Sequence, residues 1–475
     1  MKRAVSLFCF FLILLAVSCA VNPVTGKQEL SLISEGQEIS LGEETDKEIR
    51  VQYGIYDDPS LEKYVRRVGE ELVPHTHRPH LTYHFSVLDT PVVNAFAVPG
   101  GYVYVTRGIL ALMNSEAELA DVLSHELGHI NARHSVRRMS KLILAQLGLS
   151  VGGALSETFA KISGVASLGI QLLFLKYSRD DEREADRLGV EYSRKSGFNP
   201  GEMVDFFASL QRLGDLSKGA SLPGFLSTHP LNQERIQNVK GMLTADDQSL
   251  QVRDHPYLSQ IDNIVFGDDP RQGFVEKSTF YHPQLRFSFS IPEEWELKNT
   301  PSQVVMSSKD GNAAVVLQAD KSSENLSEYA QKKATSIKEK QFIGEESLTI
   351  NSLAAHQILL DVIQEEKEDL RIRLTCIKKG DYIFSFTALS TLFDFRKFEP
   401  SFQTIIQSFD ELRDEVRLNR KPKRLKLIRA NGKENLRQIF EKAGMEKELW
   451  PKITILNGMQ LDENPKPNQL VKIIK

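Results

Sequence analysis

From Ser34 to about Pro74, apolar residues recur at steps of three and four between charges. Ile39, Leu41 and Ile49 are followed by Leu61, Tyr64, Val65 and Val68, a pattern that predicts helices packing through one face. "LTYHFSVLD" (81–89) and "AFAVPGGYVYVTRG" (95–108) read instead as β-runs parted by turn residues, the second interrupted by Pro99-Gly100-Gly101. Ser115 followed by Glu118 has the form of a capping box and predicts a helix running to about Met139. Residues 142–156 and 162–175 are apolar and rich in Gly, Ala and Ser, split by Glu157 and Lys161. Each arm falls short of the roughly 20 residues that span a bilayer, so a helical hairpin over the site or at a membrane surface is expected. Helical patterning resumes at Ser178 and at Pro200, and ends in "STHPLNQERIQNV" (227–239).

Beyond about Phe274 the period changes from 3.6 to 2. Leu285, Phe287, Phe289 and Ile291 alternate inward, and "LRIRLTCIKKGDYIFSFTAL" reads as a hairpin turning at Lys379-Gly380-Asp381. Cys376 continues the alternation of Leu370, Ile372 and Leu374, which places it as a small hydrophobe on a buried strand face. A domain is expected over 274–412, then a charged linker over 413–424. The last segment, 425–475, should form a strand, two helices (around 436–443 and 449–456) and a strand, a βααβ unit. The expected whole is an α+β multidomain chain: a mainly helical domain with a small β-sheet over 19–250, an α/β domain, and the terminal βααβ module.

Composition permits this. With 475 residues, 41% hydrophobic, the chain can fill several cores, and its formal charge of -4 offers nothing to nucleic acid. The start, "MKRAVSLFCFFLILLAVSCAVNP", has basic residues, a short apolar run and small residues before Cys19, the layout of a secretory signal peptide over 1–18. Ser18-Cys19 looks like the end of a bacterial lipobox, with Cys19 as the lipidated residue, although Ala16 stands where a strong lipobox has Leu.

The chemistry concentrates in "SHELGHINARH" (124–134). On a helix His125 and His129 lie one turn apart on one face, able to aim two ring nitrogens at one ion, with Glu126 flanking it. Zinc suits that pair, and a catalytic zinc needs a third protein ligand and an open position for water. Ala132 and Ser135 occupy the positions where a metzincin motif would continue with Gly and His, and His134 is out of register on a continuous helix, so it is expected at the surface or behind a ligand. "YSRDDEREADRLG" (177–189) offers Glu182 and Asp186, again four apart: one carboxylate could bind zinc while the other holds the tautomer of a ligand histidine, with Glu184 facing away.

HELGH, the later "EREAD", "NAFAVPGG" upstream and "THPLNQER" downstream together resemble the gluzincin-type zinc metallopeptidases that include the HtpX protease and the CAAX prenyl proteases, in particular their soluble, periplasmic bacterial branch. The resemblance covers about residues 22–245. It implies one Zn2+ per chain held by His125, His129 and Glu182, with Glu126 as general base and Asp186 orienting a ligand. It also implies a catalytic part for His229, as an oxyanion donor or as a fourth ligand that blocks water. "GGYVYVT" resembles the exposed edge strand on which such enzymes lay an extended polypeptide. The implied function is a zinc metalloendopeptidase acting on unfolded or misassembled envelope proteins from the bacterial periplasm, anchored to the outer membrane through Cys19. The 274–412 region resembles the PsbP-like α/β fold. Residues 425–475 resemble a LysM module, a peptidoglycan-binding fold, with "NGKENL" where Gly-Asp-Thr-Leu is usual. The alternative is a non-catalytic, zinc-containing envelope assembly factor or chaperone with a peptidoglycan-binding tail.

Overall fold

The computed structural model describes residues 19–146, 176–217, 224–364 and 368–475. The leader and most of the expected apolar hairpin lie outside the described residues. Two compact units divide the chain: Met1–Arg50, Gly54–Gly267 and Lys423–Lys475 form the first, Val51–Tyr53 and Asp268–Pro422 the second.

In chain order a short strand pair, β1 (Cys19–Val21) and β2 (Gln28–Leu30), precedes helices α1 (Glu35–Tyr53) and α2 (Pro59–Leu72). Strands β3 (His84–Leu88), β4 (Ala95–Val98) and β5 (Tyr102–Thr106) follow. Then come helices α3 (Arg107–Leu112), α4 (Glu116–Asn131), α5 (His134–Gln146), α6 (Arg179–Lys195), α7 (Glu202–Leu216), α8 (Gly224–Thr228), α9 (Gln233–Met242) and α10 (Asp254–Ile261). The sheet runs β3-β5-β4, with β5 parallel to β3 and antiparallel to β4. This corrects the expected edge. "GGYVYVT" is the central strand, buried along its length, and β3 and β4 are the edges, β4 because the turn at Gly100-Gly101 folds the two halves of one apolar run against each other. Both glycines have positive φ, and a Cβ on Gly101 would sit 2.4 Å from the Thr82 carbonyl oxygen.

Helix α4 is buried on every face. Ser115 caps it by accepting from the Glu118 N–H (3.1 Å), but Glu118 reaches past the cap to the Asn114 N–H (2.7 Å), so half of the expected capping box is displaced by one residue. The helix also stops earlier than its pattern implies. Arg133 adopts φ +54°, and α5 starts in a new direction. Gly128 and Gly189 let α4 and α6 close on each other: a Cβ at Gly128 would lie 3.1 Å from the Ala185 backbone. Ser178 and Asp181 complete a reciprocal capping box on α6, which explains why its pattern begins at Ser178.

The C-terminal segment forms the anticipated strands Leu425–Arg429 and Leu470–Ile474, paired antiparallel, around helices Leu436–Lys442 and Trp450–Leu456. It is not set apart from the metal-motif region: Leu436, Phe440, Ile453 and Val471 share one core with residues of α3, α4 and α7. Lys472 enters that core and donates from Nζ to the carbonyls of Ala111 (3.0 Å), Met113 (2.6 Å) and Leu456 (2.9 Å), satisfying carbonyls that the end of α3 leaves open.

The second unit is mostly antiparallel sheet. Seven strands lie in the order Lys340–Ile350, Leu353–Val362, Leu370–Lys379, Tyr382–Thr391, Ala313–Lys321, Gln303–Ser308, Trp295–Thr300. The hairpin turns at Gly380 as the pattern predicts, and Cys376 is fully buried on its strand. Phe287 and Phe289 point into a core rich in phenylalanine. Among the described residues no helix is long and apolar enough to cross a membrane.

Candidate metal centre

Helices α4 and α6, clamped by their glycines, bring His125, His129 and Glu182 together, and the turn after α8 adds His229. Each of the four offers one donor atom, all within 4.8 Å of one another, and all four side chains are buried. His125 Nε2 lies 3.1 Å from His129 Nε2 and 3.4 Å from His229 Nδ1, and His229 Nδ1 lies 2.9 Å from Glu182 Oε1.

A cation fits these donors. His125 Nδ1 is 3.0 Å from Asp186 Oδ1, and His129 Nδ1 is 2.8 Å from His134 Nδ1. With those nitrogens donating outward, both Nε2 lone pairs converge on one point, an arrangement that repels itself unless a positive charge sits between them. The 3.1 and 3.4 Å separations match the roughly 3.3 Å edge of a tetrahedron whose arms have ordinary zinc–nitrogen lengths. Burial, then the neighbouring rings of His125 and His134, holds His129 well below the usual imidazole range, hence neutral as a ligand must be.

The surrounding charges are arranged to keep the acids ionised. Arg235 grips Asp186 through two bonds (2.8 and 2.7 Å) and approaches Glu182 Oε2 to 2.6 Å. Against the effect of burial, Arg235 and His125 draw Asp186 down to about 2. Glu182 is likewise held low against burial by His229 and Arg235. Glu126 differs. It is fully buried, burial raises its carboxyl above the ordinary range against the opposing pull of His229, His125 and the Ala97 N–H, and neither oxygen makes a well-formed hydrogen bond. Its Oε1 lies 3.6 Å from His229 Nε2.

The residues expected at the metal centre thus meet at one place. Cys19 is elsewhere, opening β1 opposite Leu30. Three contributors were not assigned from the pattern. Arg235 stands inside "THPLNQER" but reaches the site only through α9. Tyr177 stacks on His129 (ring centroids 3.8 Å apart), and Phe225 stacks on His229 (4.6 Å). Glu184, expected to face away, turns out to contact His134 at 3.1 Å. Beside the centre a depression is lined by Phe96, Ala97 and Val98 of the edge strand together with Tyr177, Thr228 and His229.

A helix-borne His-Glu-x-x-His joined by a carboxylate from a later helix is a donor set that could hold one metal ion. Residues 59–243 match the model of Peptidase family M48. The beta-barrel assembly-enhancing protease of Yersinia pestis is 30% identical over 252 residues, 51% of this chain and 50% of that one. Its namesake in Escherichia coli K12 is 30% identical over 235 residues, 47% of each chain. The mitochondrial metalloendopeptidase OMA1 of Schizosaccharomyces pombe is 28% identical over 232 residues, 46% of this chain and 65% of that one. The chain therefore spans about half the length of the bacterial relatives it matches. Among solved structures, cyanobacterial PsbP from Synechocystis aligns with 29% of this chain and 96% of its own at 11% identity and a TM-score of 0.25.

Proposed function

We propose that the chain is a zinc-dependent endopeptidase, with His125, His129 and Glu182 as zinc ligands, Asp186 as the orienter of His125, and Glu126 as general base. The observation that carries this reading is Glu126: a buried carboxylate with no close hydrogen-bond partner, beside four converging metal donors, has no structural duty. Zinc bound there would polarise the scissile carbonyl and make water acidic enough to attack near neutral pH. Glu126 is placed to take the proton of that water and hand it to the departing amine. The edge of β4 gives an extended polypeptide main-chain partners that read little sequence, which favours unfolded or misassembled envelope proteins as substrates.

His229 acts as a fourth donor in the resting state, because its Nδ1 rather than its free Nε2 faces the other ligands. Location in the bacterial periplasm, a lipid anchor on Cys19, and PsbP-like and LysM-like folds for 274–412 and 425–475 complete the reading. It is supported by the leader pattern, the soluble bacterial branch of HtpX-type peptidases that the motifs resemble, and the βααβ order of the terminal segment.

Metal analysis of the purified chain should find one zinc. Glu126→Gln should retain it while abolishing casein cleavage, and a folded, zinc-free wild type overturns the reading. His229→Ala should raise basal cleavage; a loss of about 10²-fold would instead assign it to the oxyanion.

A further inference from the structure

We propose that His134 and Glu184 are positioning residues that fix the metal-facing tautomer of His129; this rests on the zinc reading above. The two ligand histidines of α4 are supported unequally. His125 Nδ1 lies 3.0 Å from a carboxylate oxygen, Asp186 Oδ1. His129 has no carboxylate behind it: its Nδ1 faces His134 Nδ1 at 2.8 Å, and His134 Nε2 faces Glu184 Oε2 at 3.1 Å. With His134 neutral, one arrangement of protons satisfies the chain. Glu184 can only accept, so His134 Nε2 donates to it. His134 Nδ1 is then an acceptor, His129 Nδ1 donates, and His129 Nε2 is left with its lone pair toward His125 and Glu182. A neutral imidazole thus relays the influence of a carboxylate one ring further out, and Arg137, 2.8 Å from Asp181 and 3.5 Å from Glu184, balances the outer charge.

The backbone is bent to make this contact. On a continuous helix, residue 134 would lie about 140° around the axis from residue 129, facing elsewhere. The chain turns at Arg133 with φ +54°, a region that non-glycine residues seldom occupy. That conformation is held from outside, by Arg133 Nε donating to the buried Glu38 (3.0 Å) and Nη2 donating to the Ile33 carbonyl (2.8 Å). Helix α5 then begins at His134 itself, with the ring buried beneath His129.

The test measures zinc affinity of the full chain by competition with a chromophoric chelator, alongside melting of the metal-free protein. His134→Phe keeps the ring but removes both nitrogens, and zinc affinity should fall about 10- to 100-fold with metal-free melting unchanged. His134→Asn puts an amide oxygen where Nδ1 was, and should restore affinity to within a few-fold of wild type. Nitrogen-15 spectra of the zinc-loaded wild type should show His129 protonated on Nδ1. Wild-type affinity in His134→Phe, or a proton on His129 Nε2, overturns the proposal. Should His134→Phe fail to fold, Glu184→Ala and Glu184→Gln decide: the alanine variant must weaken zinc binding and the glutamine variant must not, and equal binding by the two overturns it. A wild type that binds no zinc is a separate result, failing the peptidase reading itself.

Discussion

The two units bury different things. The first carries Arg78, Arg107, Glu118, Asp121, Glu126, Glu182, Asp186, Arg235 and Lys472 in its interior, whereas the second buries phenylalanines and, among its described acids and bases, little beyond Asp269, His356 and Asp361. Burying a charge costs several kcal/mol unless partners compensate it. In the first unit they do so at places that matter for geometry: Arg78 meets Glu38 and the Ile130 carbonyl at the end of α4, and Arg235 meets Asp186 and Glu182. The second unit needs only shape, and its aromatic core supplies that. Buried charge without a partner is therefore the informative feature, and Glu126 is where it occurs beside a metal-binding set.

The contrast can be broken in graded ways. Glu126→Gln should lower peptide cleavage by about 10³-fold while leaving melting nearly unchanged, since neither carboxylate oxygen makes a well-formed hydrogen bond; a stable variant with wild-type casein turnover refutes the role. Phe287→Ala, which empties a site bounded by Phe280, Phe289, Phe384 and Phe409, should destabilise the second unit by about 3–5 kcal/mol and spare zinc content. Denaturant unfolding with two probes would separate the units. Lys472→Met leaves the α3 carbonyls without a donor and should cost the first unit about 2–3 kcal/mol; no loss would mean that these carbonyl contacts contribute nothing to stability.

A smaller effect concerns pH. Burial, reinforced by Glu202 and opposed by the Asn114 N–H and Lys472, raises Glu118 to about 8. Between its unfolded value near 4.5 and that point the folded chain holds a proton that the unfolded chain has lost, so stability falls as pH rises across this window. Glu118→Gln should flatten the melting profile from about pH 5 to 7. The smallest effect is at the surface of the second unit, where Phe393 is 93% exposed: Phe393→Ser should change stability by less than about 0.5 kcal/mol.

What the sequence determined by itself was everything governed by local periodicity. Four-residue spacing put His125 with His129 and Glu182 with Asp186, alternation placed Phe287, Phe289 and Cys376 inward, and turn residues located the hairpin at Gly380, because side-chain direction follows from backbone repeat alone. Tertiary structure decided what depends on distant partners. Strand order made β5 central instead of an edge, since its second partner, β3, comes from outside the local hairpin with β4. Glu38 and Ile33, some 100 residues from Arg133, hold the bend that returns His134 to His129 against the helical register its sequence implies. Arg235 reaches Asp186 across 49 residues, and Lys472 reaches the end of α3 across about 360. Such contacts leave no periodic trace, because the energy that selects them comes from pairing buried charges and open carbonyls that only the assembled core brings within reach.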